Sequence, residues 1–230
     1  MKKYEQDKPL ISIHVPKCAG TSFIHVLKKW YQRRLLMHYP DERRGKRPKK
    51  HNLNSSWSWG KGRKNKCVHG HFNWERGYGA KDYYPEVNQF ITILRDPFDL
   101  HMSNFRFLKS LKEKAYRDGS RSKESTDSRY DLEKYLEETR SFMLAFMPKR
   151  INMENYRDVL GSEFIYMGIV EDIQVSVDVL ADKLGFQTVK IPKNNVSTHL
   201  EKIPAGAREK FMSEHPVEYA IYNHALENYK

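Results

Sequence analysis

ISIHVPKCAGTSF (residues 11–23) is the segment that decides the fold of this chain. Ile11, Ile13 and Val15 place β-branched side chains at alternating positions, which predicts a short strand that Pro16 ends. The next residues are small, hydroxyl-bearing or basic, and apolar residues after them recur at the spacing of an amphipathic helix. The sequence therefore predicts a strand, a short loop and a helix.

The loop after this strand has the features of an anion-binding site. The first turn of a helix carries free N–H groups and the positive end of the helix dipole. Gly20 allows the backbone to approach a ligand, Thr21 and Ser22 add hydroxyl donors, and Lys17 adds a mobile positive charge. The expected ligand is a phosphate or a sulfate, and an ordinary loop between a strand and a helix is the alternative.

The order of residues in this loop differs from that of the nucleotide-triphosphate loop. In that motif a lysine follows the second glycine, and a serine or threonine that binds magnesium comes next. Here Lys17 precedes Gly20, and Thr21 follows Gly20 directly. This order counts against a P-loop-type kinase that uses ATP, which stays an alternative function.

A second segment, QFITILRDP (residues 89–97), repeats the organisation of a strand followed by a charged turn. Its apolar run is typical of a strand buried on both faces of a parallel sheet. The guanidinium of Arg95 suits a phosphate because its planar fork can donate two parallel hydrogen bonds, and Ser103 follows eight residues later on a predicted helix. The alternative is that Arg95 pairs with Asp96 or Asp99 at the start of that helix.

Between these segments lies CVHGHFNW (residues 67–74), which contains two alternating histidines, His69 and His71. A lone histidine is more often structural than catalytic, and alternation is also typical of one face of a strand. Zinc accepts such residue types, with Cys67 close by, but no second Cys/His cluster at metal-site spacing completes a tetrahedral set. No metal is expected.

The motifs Pro-Lys-x-x-Gly-Thr-Ser-Phe, Arg-Asp-Pro with a later serine, and His-Gly-His together resemble those of sulfotransferases that use 3′-phosphoadenosine-5′-phosphosulfate (PAPS). The first resembles the branch that contains the Golgi carbohydrate sulfotransferases, and the last resembles the heparan and uronyl 2-O-sulfotransferases. The resemblance extends from about Ile11 to the C-terminus. It implies an α/β, P-loop-like fold with a central parallel sheet flanked by helices. It also implies transfer of a sulfuryl group from PAPS to an acceptor hydroxyl, for which a carbohydrate is expected.

The resemblance implies roles for individual residues. His71 corresponds to the catalytic base and His69 to its neighbour at the acceptor site; an imidazole is largely unprotonated at neutral pH and can accept the hydroxyl proton. The reaction is an in-line displacement that releases 3′-phosphoadenosine-5′-phosphate (PAP) without a metal, and Lys17 stabilises the leaving phosphate. The residues expected to bind PAPS are Lys17, Cys18, Ala19, Gly20, Thr21, Ser22, Phe23, Arg95, Ser103, Ser197 and Thr198. The arginine that the family places just before the last two is absent, with Asn194 or Asn195 in its place.

The size and composition of the chain are those of one domain. With 230 residues and 39% hydrophobic composition, residues 1–230 can form a single α/β core. A basic insertion is expected at about 39–66 and a polar loop or short exposed helix at about 110–129. A further strand is predicted before Asp172, with a helix after it, and a closing helix from about Tyr219.

The net charge of +12 indicates affinity for polyanions. A basic nucleic-acid-binding protein is therefore a second alternative, although no recognised DNA- or RNA-reading motif is present and no nucleic acid is expected. In an enzyme, the same charge would attract an anionic glycan as acceptor. Sugar rings would stack on Trp57, Trp59 or Trp74.

With only Cys18 and Cys67, no disulfide framework is expected, and a single bond between them stays an alternative; a reducing compartment fits best. No apolar run approaches the length of a membrane span, and the N-terminus lacks the apolar stretch of a signal peptide. A cytoplasmic location is expected, and a Golgi-lumen catalytic domain without its anchor is the alternative.

Overall fold

The computed structural model describes residues 1–53, 66–117, 131–191 and 203–230. The described residues contain a five-stranded parallel sheet. Its strands are β1 (Leu10–Ile13), β2 (Leu35–His38), β3 (Cys67–Gly70), β4 (Phe90–Leu94) and β5 (Phe164–Ile169). They lie in the order β2-β3-β1-β4-β5.

α-Helices connect most of these strands and follow the last one; between β2 and β3 the described residues contain only a short 3-10 turn (Glu42–Arg44). The α-helices are α1 (Gly20–Tyr31), α2 (Ala80–Tyr83), α3 (Pro97–Arg117), α4 (Leu132–Glu138), α5 (Tyr156–Glu163), α6 (Ile173–Leu184), α7 (Ala207–Glu214) and α8 (Pro216–Asn228). Helices α5, α6 and α8 pack against β5, and α1 contacts β2. The expected α/β fold with a central parallel sheet is confirmed.

The strand sequences explain the centre of the sheet. Every residue of β1, β3, β4 and β5 is buried, and the apolar side chains of these strands join the main hydrophobic core. Such continuous burial is expected of parallel strands with helices on both faces. The predicted strand before Asp172, the helix after it and the closing helix are present as β5, α6 and α8.

Two regions differ from the sequence-based description. No sequence pattern indicated β2, in which only His38 is buried; this short segment becomes a strand through its pairing with β3. The polar segment expected from about residue 110 begins as helix, because α3 continues to Arg117. Residues 118–130 lie outside the described part of the chain, as do 54–65 of the basic insertion, with Trp57 and Trp59.

The sheet order decides where a site can form. The carboxyl ends of parallel strands lie at one edge, and ligands bind where the chain leaves one strand for opposite sides of the sheet. β1 lies between β3 and β4, with Ile13 opposite both Gly70 and Thr92. The loops after these three strands therefore meet at the same edge. Within the described residues, no helix is long and apolar enough to cross a membrane.

Candidate active site

The loop between β1 and α1 has an unusual backbone. Lys17 and Ala19 have φ values of 68° and 52°, which lie in the left-handed region that residues with a Cβ rarely adopt. The N–H groups of Ser22 and Phe23 both donate to the carbonyl of Ala19 at 3.0 Å, so hydrogen bonding within the helix begins there. Left-handed residues in such turns gather N–H groups into anion-binding concavities, and strained backbone of this kind clusters at functional sites.

The side chains of this loop point in different directions. Those of Cys18 and Phe23 are 2% and 3% exposed and belong to the hydrophobic core. Of the residues expected to bind the donor, these two can therefore contribute only backbone groups. Their N–H groups are already bonded, that of Cys18 to the Val15 carbonyl at 3.2 Å and that of Phe23 within the helix. Thr21 is exposed, and Lys17 and Ser22 are partly exposed.

Lys17 and Arg95 lie close enough for the charge of Arg95 to affect the pKa of Lys17. The pKa of Lys17 is lowered by burial and, second, by the positive charge of Arg95 at the end of β4. The Lys17 Nζ lies 4.2 Å from the ring centroid of Phe107 on α3. Ser103 is one turn before Phe107, on the same face of that helix. The structure thus brings together three of the residues that the sequence assigned to the donor.

The carboxylates that follow β4 pair with an arginine that the sequence did not indicate. Arg208 on α7 bonds to the Asp96 carboxylate at 2.9 Å and also to that of Asp99. Among the described residues, no carboxylate forms an ion pair with Arg95. Asp96 and Asp99 pair with Arg208 instead, so the alternative in which Arg95 pairs with either of them is wrong.

Three imidazoles form a cluster beside the loop. The His14 Nδ1 lies 2.8 Å from the Tyr39 hydroxyl and 3.1 Å from the His71 Nε2. The rings of His14 and His69 are stacked, with centroids 5.4 Å apart. The His69 Nδ1 is 3.0 Å from the Ser12 hydroxyl. The cluster therefore joins the ends of β1 and β3.

Burial keeps these imidazoles neutral. It lowers the pKa of His14 to about 2, assisted by His71 and His69. It lowers the pKa of His69 to about 3, and that of His71 to about 4. At neutral pH, His71 therefore carries an unprotonated ring nitrogen. His69 is 0% exposed, so the direct acceptor contact that the resemblance implied does not fit this arrangement.

His14 is the functional residue that the sequence analysis missed. A Cβ placed on Gly20 would lie 1.8 Å from the His14 Nε2, so the imidazole occupies the space that a side chain there would need. Gly20 is thus explained by the close approach of His14, whereas the sequence assigned it to the approach of a ligand. The available signal was an imidazole at the end of an apolar strand, directly before the loop.

A cavity of about 380 Å³ lies near His71, which contacts the lining residue Phe146 but does not itself line the cavity. The Phe146 ring, which lines it, is edge-on to the His71 ring at 6.0 Å, and Phe142 is 5.5 Å from Phe146. Its volume is in the range of small-molecule sites, roughly 300–1,000 Å³. The lining residues are Asn73, Glu75, Arg76, Tyr135, Glu138, Thr139, Arg140, Ser141, Phe142, Ala145 and Phe146.

Trp74, expected to stack on a sugar, has other partners. The Arg150 guanidinium lies 4.9 Å from the centroid of its ring, and its indole N–H donates to the Leu144 carbonyl at 3.0 Å. Ser197 and Thr198 lie outside the described residues. Both Cys18 and Cys67 are free and buried. In the described ranges, no group of three or more His, Cys, Asp or Glu residues is placed to hold a metal ion.

Comparisons with known proteins give two findings. No family model and no curated protein matches the chain. Solved structures that match include the mouse sulfotransferase SULT7A1 complexed with PAP, which is 16% identical with a TM-score of 0.42 over 82% of this chain and 61% of that one. A sulfotransferase from Alicyclobacillus acidocaldarius is 14% identical with a TM-score of 0.47 over 95% of this chain and 97% of that one.

The chain therefore spans less than two thirds of the mouse protein. At such identities and TM-scores, neither likeness assigns an activity or a residue role to this chain. Its function is therefore inferred from the arrangement of its own side chains.

Proposed function

We propose that this protein is a sulfotransferase that moves a sulfuryl group from PAPS to a hydroxyl of a carbohydrate. One observation carries the proposal: a strained, lysine-bearing loop, an arginine that pairs with no carboxylate of the described residues, and a neutral histidine meet at one edge of the sheet. These groups match the three chemical needs of the reaction. Two anionic ends of the donor must be held, and one proton must be removed from the acceptor.

The donor would lie across the loops after β1 and β4. The loop N–H groups, Lys17 and the hydroxyls of Thr21 and Ser22 would hold the 5′-phosphosulfate. Arg95 and Ser103 would hold the 3′-phosphate, for which a guanidinium is well suited. In this scheme the Lys17 Nζ leaves the Phe107 ring for the donor, because a phosphate oxygen attracts it more strongly than an aromatic face.

The chemical step would need a base and a stabilised leaving group. A ring nitrogen of His71 accepts the acceptor's hydroxyl proton while the oxygen forms a bond to sulfur. The bond between sulfur and the bridging phosphate oxygen breaks, and PAP leaves with the negative charge. Lys17 and the loop N–H groups stabilise that charge, as fixed donors do in phosphoryl transfer. No covalent enzyme intermediate is required.

The acceptor would occupy the cavity next to His71. The Phe142 and Phe146 rings offer apolar faces for a sugar ring, and Arg76 and Arg140 could pair with carboxylate or sulfate groups of an anionic glycan. Arg76 is exposed and is paired with Glu42 at 3.3 Å, an interaction weak enough for a glycan carboxylate to replace. The similarity of His-Gly-His to the heparan and uronyl 2-O-sulfotransferases points to the same acceptor class.

A P-loop kinase would need an aspartate after a strand to hold magnesium. Asp96 is the second residue after β4, but its carboxylate accepts hydrogen bonds from Arg208 and from the Asp99 N–H. These contacts disfavour the kinase alternative. No contact among the described residues favours nucleic-acid binding.

The test is incubation with ³⁵S-labelled PAPS and a panel of neutral sugars, anionic glycans, phenols and small alcohols. Label transferred to a sugar hydroxyl supports the proposal, and transfer from γ-labelled ATP instead would refute it. The His71→Ala variant should lose roughly 10²–10⁴ in kcat, the range for a positioned general base, with unchanged PAP binding. His25→Ala, which removes an exposed imidazole from α1, is the matched control and should keep full activity.

A further inference from the structure

Two polar groups converge on one nitrogen of His14. The Tyr39 hydroxyl is 2.8 Å and the His71 Nε2 is 3.1 Å from the same atom, Nδ1. A neutral imidazole nitrogen either carries one hydrogen or offers one lone pair. The proton positions of these three groups are therefore linked, and the state of His14 limits the state of His71.

The surroundings favour a lone pair on the His14 Nδ1. Burial raises the pKa of Tyr39, so its phenol keeps its proton and can donate. The His71 Nε2 can donate as well if it carries hydrogen. When the Tyr39 hydroxyl donates to the His14 Nδ1, that atom carries its lone pair. A His71 Nε2 without hydrogen would then place two lone pairs 3.1 Å apart, which repel each other, so the His71 Nε2 carries the hydrogen. The hydrogen of His14 is then on Nε2, against Gly20 in the anion-binding loop, where positive polarity is favourable.

We propose that His14 is a positioning residue: its Nδ1 accepts a hydrogen bond from the His71 Nε2–H and holds His71 in the tautomer whose Nδ1 is unprotonated. Among the described residues, none hydrogen-bonds to the His71 Nδ1, so its lone pair is open to an acceptor hydroxyl. The use of that lone pair as a base rests on the proposed function, whereas the tautomer itself does not.

The same contact ties the base to the donor loop. The His14 ring is packed against Gly20 at the start of α1, and its other side is stacked on the buried His69. The imidazole therefore has little freedom to turn. A base that is held by a residue wedged against the anion-binding loop keeps its place relative to the sulfur, and such positioning is a large part of catalytic rate enhancement.

Nitrogen NMR on protein labelled with ¹⁵N-histidine tests the tautomer without any substrate. We expect His71 to show a protonated Nε2 and an unprotonated Nδ1, with the signals assigned from their loss in His71→Asn. In His14→Leu the His71 signals should shift toward the average of the two tautomers. A protonated Nδ1 on His71 in the wild-type protein would overturn the proposal, whether or not the protein transfers sulfate.

Kinetics test whether His14 acts through His71. The His14→Leu variant should lose roughly 10–100-fold in kcat, with the acceptor KM and PAP affinity within about twofold of wild type. His14→Asn, whose amide oxygen can replace the Nδ1 acceptor, should recover most of this loss, and His25→Leu serves as the control for loss of an imidazole. In a His71→Ala background, His14→Leu should have no further effect on kcat. If the losses in kcat from His14→Leu and His71→Ala multiply in the double variant, His14 has a merely structural role and the proposal is refuted. If His14→Leu fails to fold, the NMR comparison of His14→Asn with the wild-type protein decides whether an acceptor at position 14 sets the tautomer of His71.

Discussion

Lowering the pH from about 7 to about 5.5 should destabilise this protein through four buried imidazoles. Burial is the first cause of the lowered pKa in each of them. The values are about 2 for His14, about 4 for His38, about 3 for His69 and about 4 for His71. In the unfolded chain, the same residues titrate near 6.5.

The lowered pKa values of the folded state determine the direction in which stability changes with pH. Below about pH 6.5 the unfolded chain binds protons that the folded chain does not bind. The stability that depends on neutral imidazoles is fully present above that pH and is lost as the pH falls toward the folded-state pKa values. Each histidine lowers the free energy of unfolding by about 1.4 kcal/mol for each pH unit of acidification. Four such histidines together lower it by about 5 kcal/mol per pH unit. Total folding stability is only about 5–15 kcal/mol, so unfolding should occur near pH 5.

The assay is urea unfolding, followed by circular dichroism, at a series of pH values between about 7.5 and 5.5. The slope of unfolding free energy against pH gives the number of protons bound on unfolding, which we expect to be between three and four at the acidic end. Ordinary carboxylates titrate below this window. His69→Asn, which keeps a polar partner for Ser12, should reduce the number by about one. A slope below one proton would refute the reasoning.

Three further predictions concern the site. Arg95→Ala and Lys17→Ala should each weaken PAP binding in calorimetry by roughly 10–100-fold, because each removes a charge-assisted hydrogen bond, and unchanged affinity in both would remove them from the donor site. Gly20→Ala places a Cβ 1.8 Å from the His14 Nε2 and should cost about 1–3 kcal/mol of stability in thermal unfolding; the double variant with His14→Ala should regain that stability but not activity. Because the pKa of His71 is lowered to about 4, kcat/KM should stay level from about pH 8 down to the acid unfolding of the chain, and a loss centred near 6.5 would contradict a buried base.

The positions of the main strands and helices follow from local patterns. The β-branched run of β1 and the apolar run of β4 fit few structures other than a buried strand, because buried parallel strands need apolar side chains on both faces. Strand β2 was not predictable in this way. Leu35, Leu36 and Met37 are at least partly exposed, and the strand exists because β3 provides the hydrogen-bonding partner.

The donor loop was predictable because its signal is contiguous in the chain: a strand end, a glycine, hydroxyls and a lysine lie within a few residues. The pairing of Asp96 and Asp99 with Arg208 had no such signal, since more than a hundred residues separate the partners. That pairing takes both carboxylates away from Arg95, which then pairs with no carboxylate of the described residues.

Residue types and their spacing were thus enough to place an anion loop, a second cationic turn and a pair of histidines on an α/β scaffold. Folding alone decided which histidine is accessible and what holds it, because burial and hydrogen bonding depend on neighbours from other strands. His69 and His71 are two residues apart, yet one is buried on Ser12 and the other meets His14 beside a cavity. That difference arises from the order of β3 and β1 in the sheet, which no local pattern records.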